Sequence, residues 1–214
     1  MSIPNMLTWG RIFAIPLIIV LFYLPYPWSD PAAGVLFALA GITDSFDGYL
    51  ARKWNQTSRL GAFLDPVADK LIVATALVLL VTRQDQPVYD LGLGFLIRSQ
   101  TIVALCAIVI IGREIAVSAL REWMAQIGAR RKVAVSGLGK LKTILQIVGL
   151  SFLLYKWHFL WMPSYEIGLG LTVVAAVLTL WSMVQYLRAA GPTLAEHEAG
   201  PRPESRQGDS RAGH

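Results

Sequence analysis

The sequence predicts an all-α integral membrane protein with six transmembrane helices. Of the 214 residues, 55% are hydrophobic and only 15% are charged, whereas soluble domains carry about 25% charged residues. Six apolar segments follow one another along the chain, and each comes close to the roughly 20 residues that a helix needs to cross a bilayer. When successive segments are taken to cross a membrane in alternating directions, most of the basic residues fall on one side of it.

The first three helices are predicted from apolar runs separated by polar turns. The first run covers residues 12–29; Pro16 interrupts it, but membrane helices tolerate proline. The run is too long for the apolar region of a secretory signal, and no small-residue cleavage site follows it. The second segment, residues 31–54, carries charge only in its second half, and the third, residues 59–82, carries its charges at the start.

The last three helices are predicted in the same way. Residues 95–123 are charged at the end of the segment, residues 137–157 carry lysines at the start, and residues 167–187 have no charge. Residues 191–214 are rich in Gly, Pro, Glu, Arg and Ser. Such a composition buries too little apolar surface to order a chain. We therefore expect a six-helix domain over residues 1–190 and a disordered cytoplasmic tail over residues 191–214.

The distribution of positive charge predicts the orientation. With six spans both termini share one side of the membrane, and of the 19 basic residues only Arg83, Arg98 and Lys156 fall on the other side. Because basic residues are retained on the cytoplasmic side, both termini are expected there. Nucleic-acid binding is disfavoured, since the basic residues are spread over helix ends rather than along one soluble face.

Four aspartates interrupt two neighbouring apolar segments. Asp44 and Asp47 are three residues apart, and Asp65 and Asp69 are four apart, so each pair lies on one face of its helix. The polar turn at residues 55–58 is short, which predicts antiparallel neighbouring helices. Each pair lies about 15 Å from that turn at 1.5 Å per residue. The four carboxylates are therefore expected at similar depth in the cytoplasmic half of the bilayer.

Four unpaired carboxylates at that depth require a cation. One charged Asp at a helix centre costs about 2.5–3.5 kcal/mol. Hard divalent cations take oxygen ligands, and two such ions need about this many carboxylates. The alternative is a buried ion network in which the aspartates pair with Arg52, Arg59 and Lys70.

The residues around the aspartates favour a bulky ligand beside the metal site. Gly48 follows Asp47, and Gly61 precedes Asp65 by one turn, so a ligand could approach both helices closely. The alternative is close helix–helix packing, which small residues also allow. Arg52 lies one turn after Gly48 and could hold a phosphate; its alternative role is to anchor the helix at the cytoplasmic surface.

The whole stretch resembles a known family signature. It reads Asp44-x2-Asp47-Gly48-x2-Ala51-Arg52-x8-Gly61-x3-Asp65-x3-Asp69. It resembles, without a departure, the signature of the CDP-alcohol phosphatidyltransferases. Further stretches resemble the branch of that family that uses sn-glycerol 3-phosphate: NMLTWGR at 5–11, FLDPVADK at 63–70, REI at 113–115, SALREW at 118–123 and GKLKT at 139–143. The resemblance covers about residues 3 to 188.

This resemblance implies a membrane enzyme that uses Mg²⁺ or Mn²⁺ and is usually a homodimer. It implies transfer of the phosphatidyl group from CDP-diacylglycerol to the hydroxyl of sn-glycerol 3-phosphate, with release of CMP. By position, Asp44, Asp47, Asp65 and Asp69 are implied as ligands of two metal ions, with Asp69 also the base. The implied contacts to the CDP group are Gly48, Arg52, Ser58, Gly61, Asn5 and Thr8.

The acceptor carries its own phosphate, and the fourth helix supplies candidate cations for it. Over residues 95–123 this helix is about 43 Å long, which exceeds the roughly 30 Å hydrocarbon core, so its charged end must extend beyond the lipid. We expect Arg113, Arg121 and Lys140 to form the acceptor-phosphate pocket. An ion pair with Glu114 or Glu122, or contact with lipid headgroups, is the alternative for Arg121. Residues 130–132 are assigned to attraction of anionic lipid.

Two other functions remain open from the sequence. The same chemistry could use another acceptor, such as an inositol phosphate, serine or phosphatidylglycerol, although serine has no phosphate to explain Arg113 and Lys140. A divalent-metal transporter would also place carboxylates in the membrane. It would not need the arrangement of Gly48, Arg52 and Gly61, and such transporters more often have broken helices and repeats.

Overall fold

Six α-helices make up most of the structure. The computed structural model describes residues 3–54, 59–90, 96–127, 137–157 and 161–198, with side chains over 8–43, 64–90, 96–127, 141–157 and 161–191. The helices are α1 Ile3–Tyr23, α2 Ser29–Trp54, α3 Arg59–Thr82, α4 Ser99–Gln126, α5 Gly137–Tyr155 and α6 Ser164–Glu198. The predicted helical class is confirmed. The bounds of α3 match the prediction, and those of α2 and α5 differ from it by at most two residues.

The helices pack side by side as a ring. In the described part of the chain α1 packs against α2 and α3, α2 against α5, α5 against α6, α6 against α4, and α4 against α3. A further contact joins α3 to α5 across the middle of the ring. The predicted direct contact of α2 with α3 is sparse among these residues, and the stretch nearest their connection lies outside the described side chains.

The first helix begins earlier and ends earlier than predicted. It spans Ile3–Tyr23, whereas the apolar run covers residues 12–29. The early turns are polar, but Thr8 and Arg11 are only 1% and 2% exposed, so they face the interior of the bundle. The helix stops before Pro25 and Pro27, because proline lacks an N–H donor and disfavours helix in the residue before it.

A short hairpin precedes α4 and was not predicted. Strand β1, Val88–Asp90, pairs antiparallel with β2, Leu96–Arg98, with Tyr89 opposite Ile97. Helix α4 therefore begins at Ser99 rather than at residue 95. The Ser99 backbone N–H and hydroxyl both donate to the Pro87 carbonyl, at 3.0 and 2.9 Å, which ties the start of α4 to the base of the hairpin.

The last helix continues well past its predicted end. It runs through Gly191 and Pro192 to Glu198, not to residue 187. Pro192 removes one backbone hydrogen bond, but the residues after it include Leu, Ala and Glu, which are strong helix formers. The first residues of the predicted tail are therefore helical, and the rest of it, 199–214, lies outside the described residues.

Two crossings bring helix backbones into close contact. A Cβ on Gly34 of α2 would lie 2.7 Å from the Tyr155 backbone nitrogen of α5. At the crossing of α5 and α6, a Cβ on Gly149 would lie 2.7 Å from Thr172 Oγ1, and one on Gly168 would lie 2.8 Å from the Gly149 carbonyl oxygen. These distances are too short for any side chain, so glycine is required for both crossings.

The interior of the ring is apolar, and a polar layer covers one end. The most deeply buried large side chains are Ile18, Phe37, Leu77, Leu80, Leu150, Leu153 and Leu154. In the polar layer Arg83 Nη2 donates to Asp30 at 2.5 Å, and Lys156 pairs with Asp85. Since these pairs join the start of α2 to the ends of α3 and α5, successive helices run in alternating directions.

Within the residues whose side chains are described, two helices are long and apolar enough to cross a membrane. They are α4 and the part of α6 over Ser164–Gly191. This agrees with the predicted association with a membrane.

Candidate active site

Two of the predicted metal ligands lie one turn apart on α3. Asp65 and Asp69 share a face of the helix, and both side chains are partly buried. Thr8 Oγ1 donates a hydrogen bond to Asp65 Oδ1. Thr8 is predicted to contact the CDP group, but in the structure its hydroxyl contacts a carboxylate and holds it in one orientation. This bond also connects α1 to α3 beside the candidate site.

A cavity of about 220 Å³ opens beside Asp69, between α3, α4 and α5. Its polar lining consists of Asp69, Lys70, Glu114, Thr143 and Gln146, and the remaining lining residues are aliphatic. The cavity therefore has polar groups beside the candidate base and a hydrocarbon wall.

Lys70 faces α4 from the edge of this cavity. Its Nζ donates to Ser118 Oγ at 2.6 Å, and Ser118 Oγ in turn donates to the Glu114 carbonyl at 2.6 Å. In the alternative interpretation of the aspartates, Lys70 would neutralise them. The acceptor of this hydrogen bond is a serine, not one of the aspartates.

Two buried cations share one carboxylate next to the cavity. Arg113 Nη1 lies 2.5 Å from Glu114 Oε1, and Lys142 Nζ lies 3.2 Å from the same oxygen. Arg113 is 7% exposed and Lys142 is 4% exposed. Because Glu114 also lines the cavity beside Asp69, this cluster is adjacent to the candidate base.

Arg121 extends the cluster along α4 towards α6. Its Nη2 donates to the Tyr186 hydroxyl at 2.6 Å, and both arginine guanidinium groups lie over the Tyr186 ring, Arg113 at 5.7 Å and Arg121 at 5.1 Å. The alternative ion pair of Arg121 with Glu114 or Glu122 is not formed among the described residues. Two cations thus share the Glu114 carboxylate, Arg121 adds a third at Tyr186, and an excess of positive charge suits a phosphate dianion.

The sequence interpretation missed two members of this cluster. Lys142 and Glu114 both lie within stretches that carry the family resemblance, yet Lys142 was assigned no role and Glu114 was considered only as an alternative partner of Arg121. The signal was present, since an ionisable side chain well inside an apolar helix is usually functional. Tyr186 gave no comparable signal, because an isolated tyrosine on an apolar helix is commonly a packing residue.

The other predicted site residues fall where side chains are not described. Six of them lie within helices: Asn5, Asp44, Asp47, Gly48, Arg52 and Gly61. Lys140 lies in the first turn of α5, also without a described side chain, and Ser58 lies outside the described residues. The structure therefore places Thr8 against Asp65, one turn from Asp69. It places Asp69 and Glu114 in the lining of one cavity, with Arg113 and Lys142 paired to Glu114.

The donor atoms at the site suit a hard divalent cation. Asp65 and Asp69 offer only carboxylate oxygens, and the single cysteine, Cys106, is buried in the apolar core. No group of three or more His, Cys, Asp or Glu side chains occurs in the part of the chain whose side chains are described; Asp44 and Asp47 lie outside it. Oxygen-only ligands of this kind fit Mg²⁺ or Mn²⁺.

Comparison with known proteins gives matches over most of the chain. Residues 1–184 match the family model of CDP-alcohol phosphatidyltransferase. A protein of Shigella flexneri serotype 5b (strain 8401) is 49% identical over 195 residues, which cover 91% of this chain and 98% of that protein. One of Escherichia coli (strain K12) is 48% identical over 198 residues, with the same coverage of each chain. Both are named CDP-diacylglycerol--glycerol-3-phosphate 3-phosphatidyltransferase.

Proposed function

Because the chain belongs to the CDP-alcohol phosphatidyltransferase family, we propose that it transfers the phosphatidyl group of CDP-diacylglycerol to sn-glycerol 3-phosphate, giving phosphatidylglycerophosphate and CMP. The names of the relatives support the two substrates. The observation that carries the choice of acceptor is the pairing of Arg113 and Lys142 with one carboxylate, Glu114, which lines the cavity beside Asp69; Arg121 lies next to Arg113 at Tyr186. An acceptor without a phosphate would leave these cations unexplained.

Asp69 is the proposed base. It lines the cavity into which the acceptor hydroxyl would enter, and it takes the proton of that hydroxyl as the oxygen attacks the phosphorus of the phosphatidyl group. The bond between this phosphorus and the CMP oxygen breaks, and CMP leaves. Asp65, oriented by Thr8, keeps its second oxygen available on the same helix face.

Asp44, Asp47, Asp65 and Asp69 are the proposed ligands of two divalent ions, Mg²⁺ or Mn²⁺. When bound, these ions neutralise charge on the pyrophosphate and stabilise the leaving CMP. The CDP group is proposed to contact Gly48, Arg52, Ser58, Gly61, Asn5 and Thr8. Thr8 acts on the same region through Asp65.

The acceptor phosphate is proposed to bind Arg113, Arg121, Lys140 and, in addition to the residues predicted from the sequence, Lys142. Arginine can contact two phosphate oxygens at once, and lysine acts as a compact charge. Glu114 holds Arg113 and Lys142 through one oxygen, so it sets the spacing of the two cations that would receive the phosphate.

We further propose that all six helices span the cell membrane, with both termini and the active site on the cytoplasmic side. Even the shortest helix, α5, has 19 residues and is about 28 Å long at 1.5 Å per residue, close to the roughly 30 Å hydrocarbon core. The alternating helix directions put Arg83 and Lys156 at the same end, and the positive-inside rule assigns that end to the outside. A homodimer is proposed from the family resemblance alone.

The decisive experiment incubates the purified protein with CDP-diacylglycerol and separate alcohols and measures CMP release. We expect release with sn-glycerol 3-phosphate and little with serine, an inositol phosphate or phosphatidylglycerol. Release only with one of these other acceptors would contradict the proposed acceptor. Metal flux into proteoliposomes without lipid synthesis would instead favour a transporter.

A further inference from the structure

The cavity beside Asp69 contains a buried polar group that the proposed reaction does not use. Gln146 of α5 is only 6% exposed and lines this cavity. Within the described part of the chain its side-chain amide has no hydrogen-bond partner. Its amide atoms are not fully buried, so they are open to the cavity, and a ligand there could accept a hydrogen bond from the amide.

The two ends of the cavity differ in chemistry. Near Asp69, Lys70 and Glu114 the lining is charged, and towards Ala74 and Ile110 it is aliphatic. From Asp69 to Ala74 the wall extends about 7.5 Å along α3 at 1.5 Å per residue. A ligand that fits both ends must therefore change from polar to hydrocarbon within a few bonds.

The cavity also opens at the surface of the helix bundle. Two of its lining residues, Leu71 and Ile115, are 51% and 66% exposed. In a membrane such aliphatic side chains at a cavity mouth face lipid. A hydrocarbon chain could therefore leave the cavity sideways between α3 and α4, while its polar end stays beside Asp69.

We propose that this cavity holds the glycerol ester region and the first methylenes of one acyl chain of the phosphatidyl donor, with Gln146 donating a hydrogen bond to the ester carbonyl. The inference rests on the proposed function, since it takes the donor from there. The ester carbonyl is the last polar atom before the hydrocarbon, and it lies only a few bonds from the phosphorus that reacts. A neutral amide suits this uncharged acceptor, whereas the nearby cations suit phosphate.

The test compares two donors that differ only in the carbonyl group. CDP-dioleoylglycerol has two ester carbonyls, whereas the corresponding diether, CDP-dioleylglycerol, has none. For Gln146→Leu we expect the KM of the diester donor to rise about three- to tenfold, as for one lost neutral hydrogen bond. The KM of the diether and that of sn-glycerol 3-phosphate should stay unchanged. The matched control is Gln185→Leu on α6, whose side chain is exposed.

A steric variant tests the position of the chain. Ala74→Leu adds hydrocarbon to the cavity wall, so we expect it to raise the KM of both long-chain donors and to leave the KM of the acceptor unchanged. Equilibrium binding of the two donors is also measured without acceptor. The dissociation constants should change in the same variants and for the same donors as the KM values, without any contribution from turnover.

The outcomes separate this proposal from the function on which it rests. If Gln146→Leu raises the KM of the diester and of the diether equally, Gln146 has a structural role, and the proposed contact with the ester carbonyl is overturned. If Gln146→Leu raises only the KM of sn-glycerol 3-phosphate, Gln146 binds the acceptor, and the carbonyl contact is overturned as well. Suppose that the unaltered protein binds the diester more tightly than the diether, that Gln146→Leu removes this difference, and that no CMP is released. The proposed function then fails, and the lipid site stands.

Discussion

Glu114 connects the two parts of the candidate site. One of its oxygens contacts both Arg113 and Lys142, and its side chain also lines the cavity beside Asp69. Removing Glu114 would leave two cations without a counter-charge in a poorly hydrated place, whereas removing Arg113 or Lys142 would remove the excess positive charge that suits the acceptor phosphate. We therefore expect substitutions here to change acceptor binding selectively and strongly.

The first prediction concerns the acceptor pocket. Lys142→Ala and Arg113→Ala should each raise the KM for sn-glycerol 3-phosphate by roughly 10- to 150-fold, the range for losing one charge-assisted contact. The KM for CDP-diacylglycerol should change little. Steady-state kinetics with each substrate varied in turn provide the measurement. Lys156→Ala, at the opposite end of the bundle, is the control, and equal effects on both substrates would argue against a specific acceptor pocket.

The second prediction concerns the aspartates. Asp44→Asn, Asp47→Asn and Asp65→Asn should each abolish CMP release, because each removes a negative ligand oxygen from the proposed metal site. The proteins should stay folded, since each change also removes like-charge repulsion. Turnover and thermal unfolding are measured together, with Asp85→Asn as the control. Substantial turnover by all three variants at ordinary Mg²⁺ concentration would refute the metal assignment.

At the scale of helices, the apolar composition of the segments was enough to predict how many helices there are, but not where every helix begins and ends. The bounds of α3 were predictable because charges mark its start and Arg83 follows its end. The start of α1 was not, because hydropathy treats polar residues as outside the membrane, whereas Thr8 and Arg11 face inward. Such inward polar residues depend on tertiary partners that a single sequence does not reveal.

The hairpin and the site illustrate the same limit. Strands of three residues give too short a pattern to be distinguished from the apolar run that follows, which was predicted as the start of a helix. Gly92 and Gly94, between the two strands in the sequence, were nevertheless a usable turn signal. The spacing of Asp65 and Asp69 could be predicted, because helix periodicity alone determines it. The contact of Glu114 with Lys142 joins α4 to α5, so it depended on how two separate helices pack.

The third prediction concerns the end of α6. Truncation after Glu198 should leave CMP release intact, since it removes only residues beyond the helix. Truncation after Gly191 should also retain turnover if residues 1–190 form the complete catalytic domain. Both proteins are compared with the full chain after confirming equal membrane insertion. Loss of most turnover in both would mean that the tail acts on the site, and loss in the shorter protein alone would move the domain boundary to Glu198.

For the whole molecule, the ring of helices separates two chemically different regions. Asp69, Lys70 and Glu114 lie around a cavity between three helices, whereas the pair of Arg83 with Asp30 belongs to the polar layer at the other end. The apolar interior lies between them. The charged groups of the site therefore lie apart from the polar layer at the other end.

The fourth prediction follows from the oxygen-only ligands. Excess EDTA should stop CMP release, and Mg²⁺ or Mn²⁺ added beyond the chelator should restore it. Calcium-loaded EDTA serves as the control for effects of the chelator on the lipid. Undiminished turnover in excess free EDTA would exclude catalysis by divalent ions.

The apolar interior has an electrical consequence. Leu77, Leu80 and Leu153 are fully buried in the layer between the site and the end that we propose to face outside, so in that orientation the transmembrane voltage should fall mainly across this layer. A charge that crosses the whole field is worth about 2.3 kcal/mol per 100 mV, but here anionic substrates would enter and leave on the same side, outside most of the field. In proteoliposomes with an imposed potassium diffusion potential, turnover should therefore be the same at zero and at −100 mV, on the order of resting potentials.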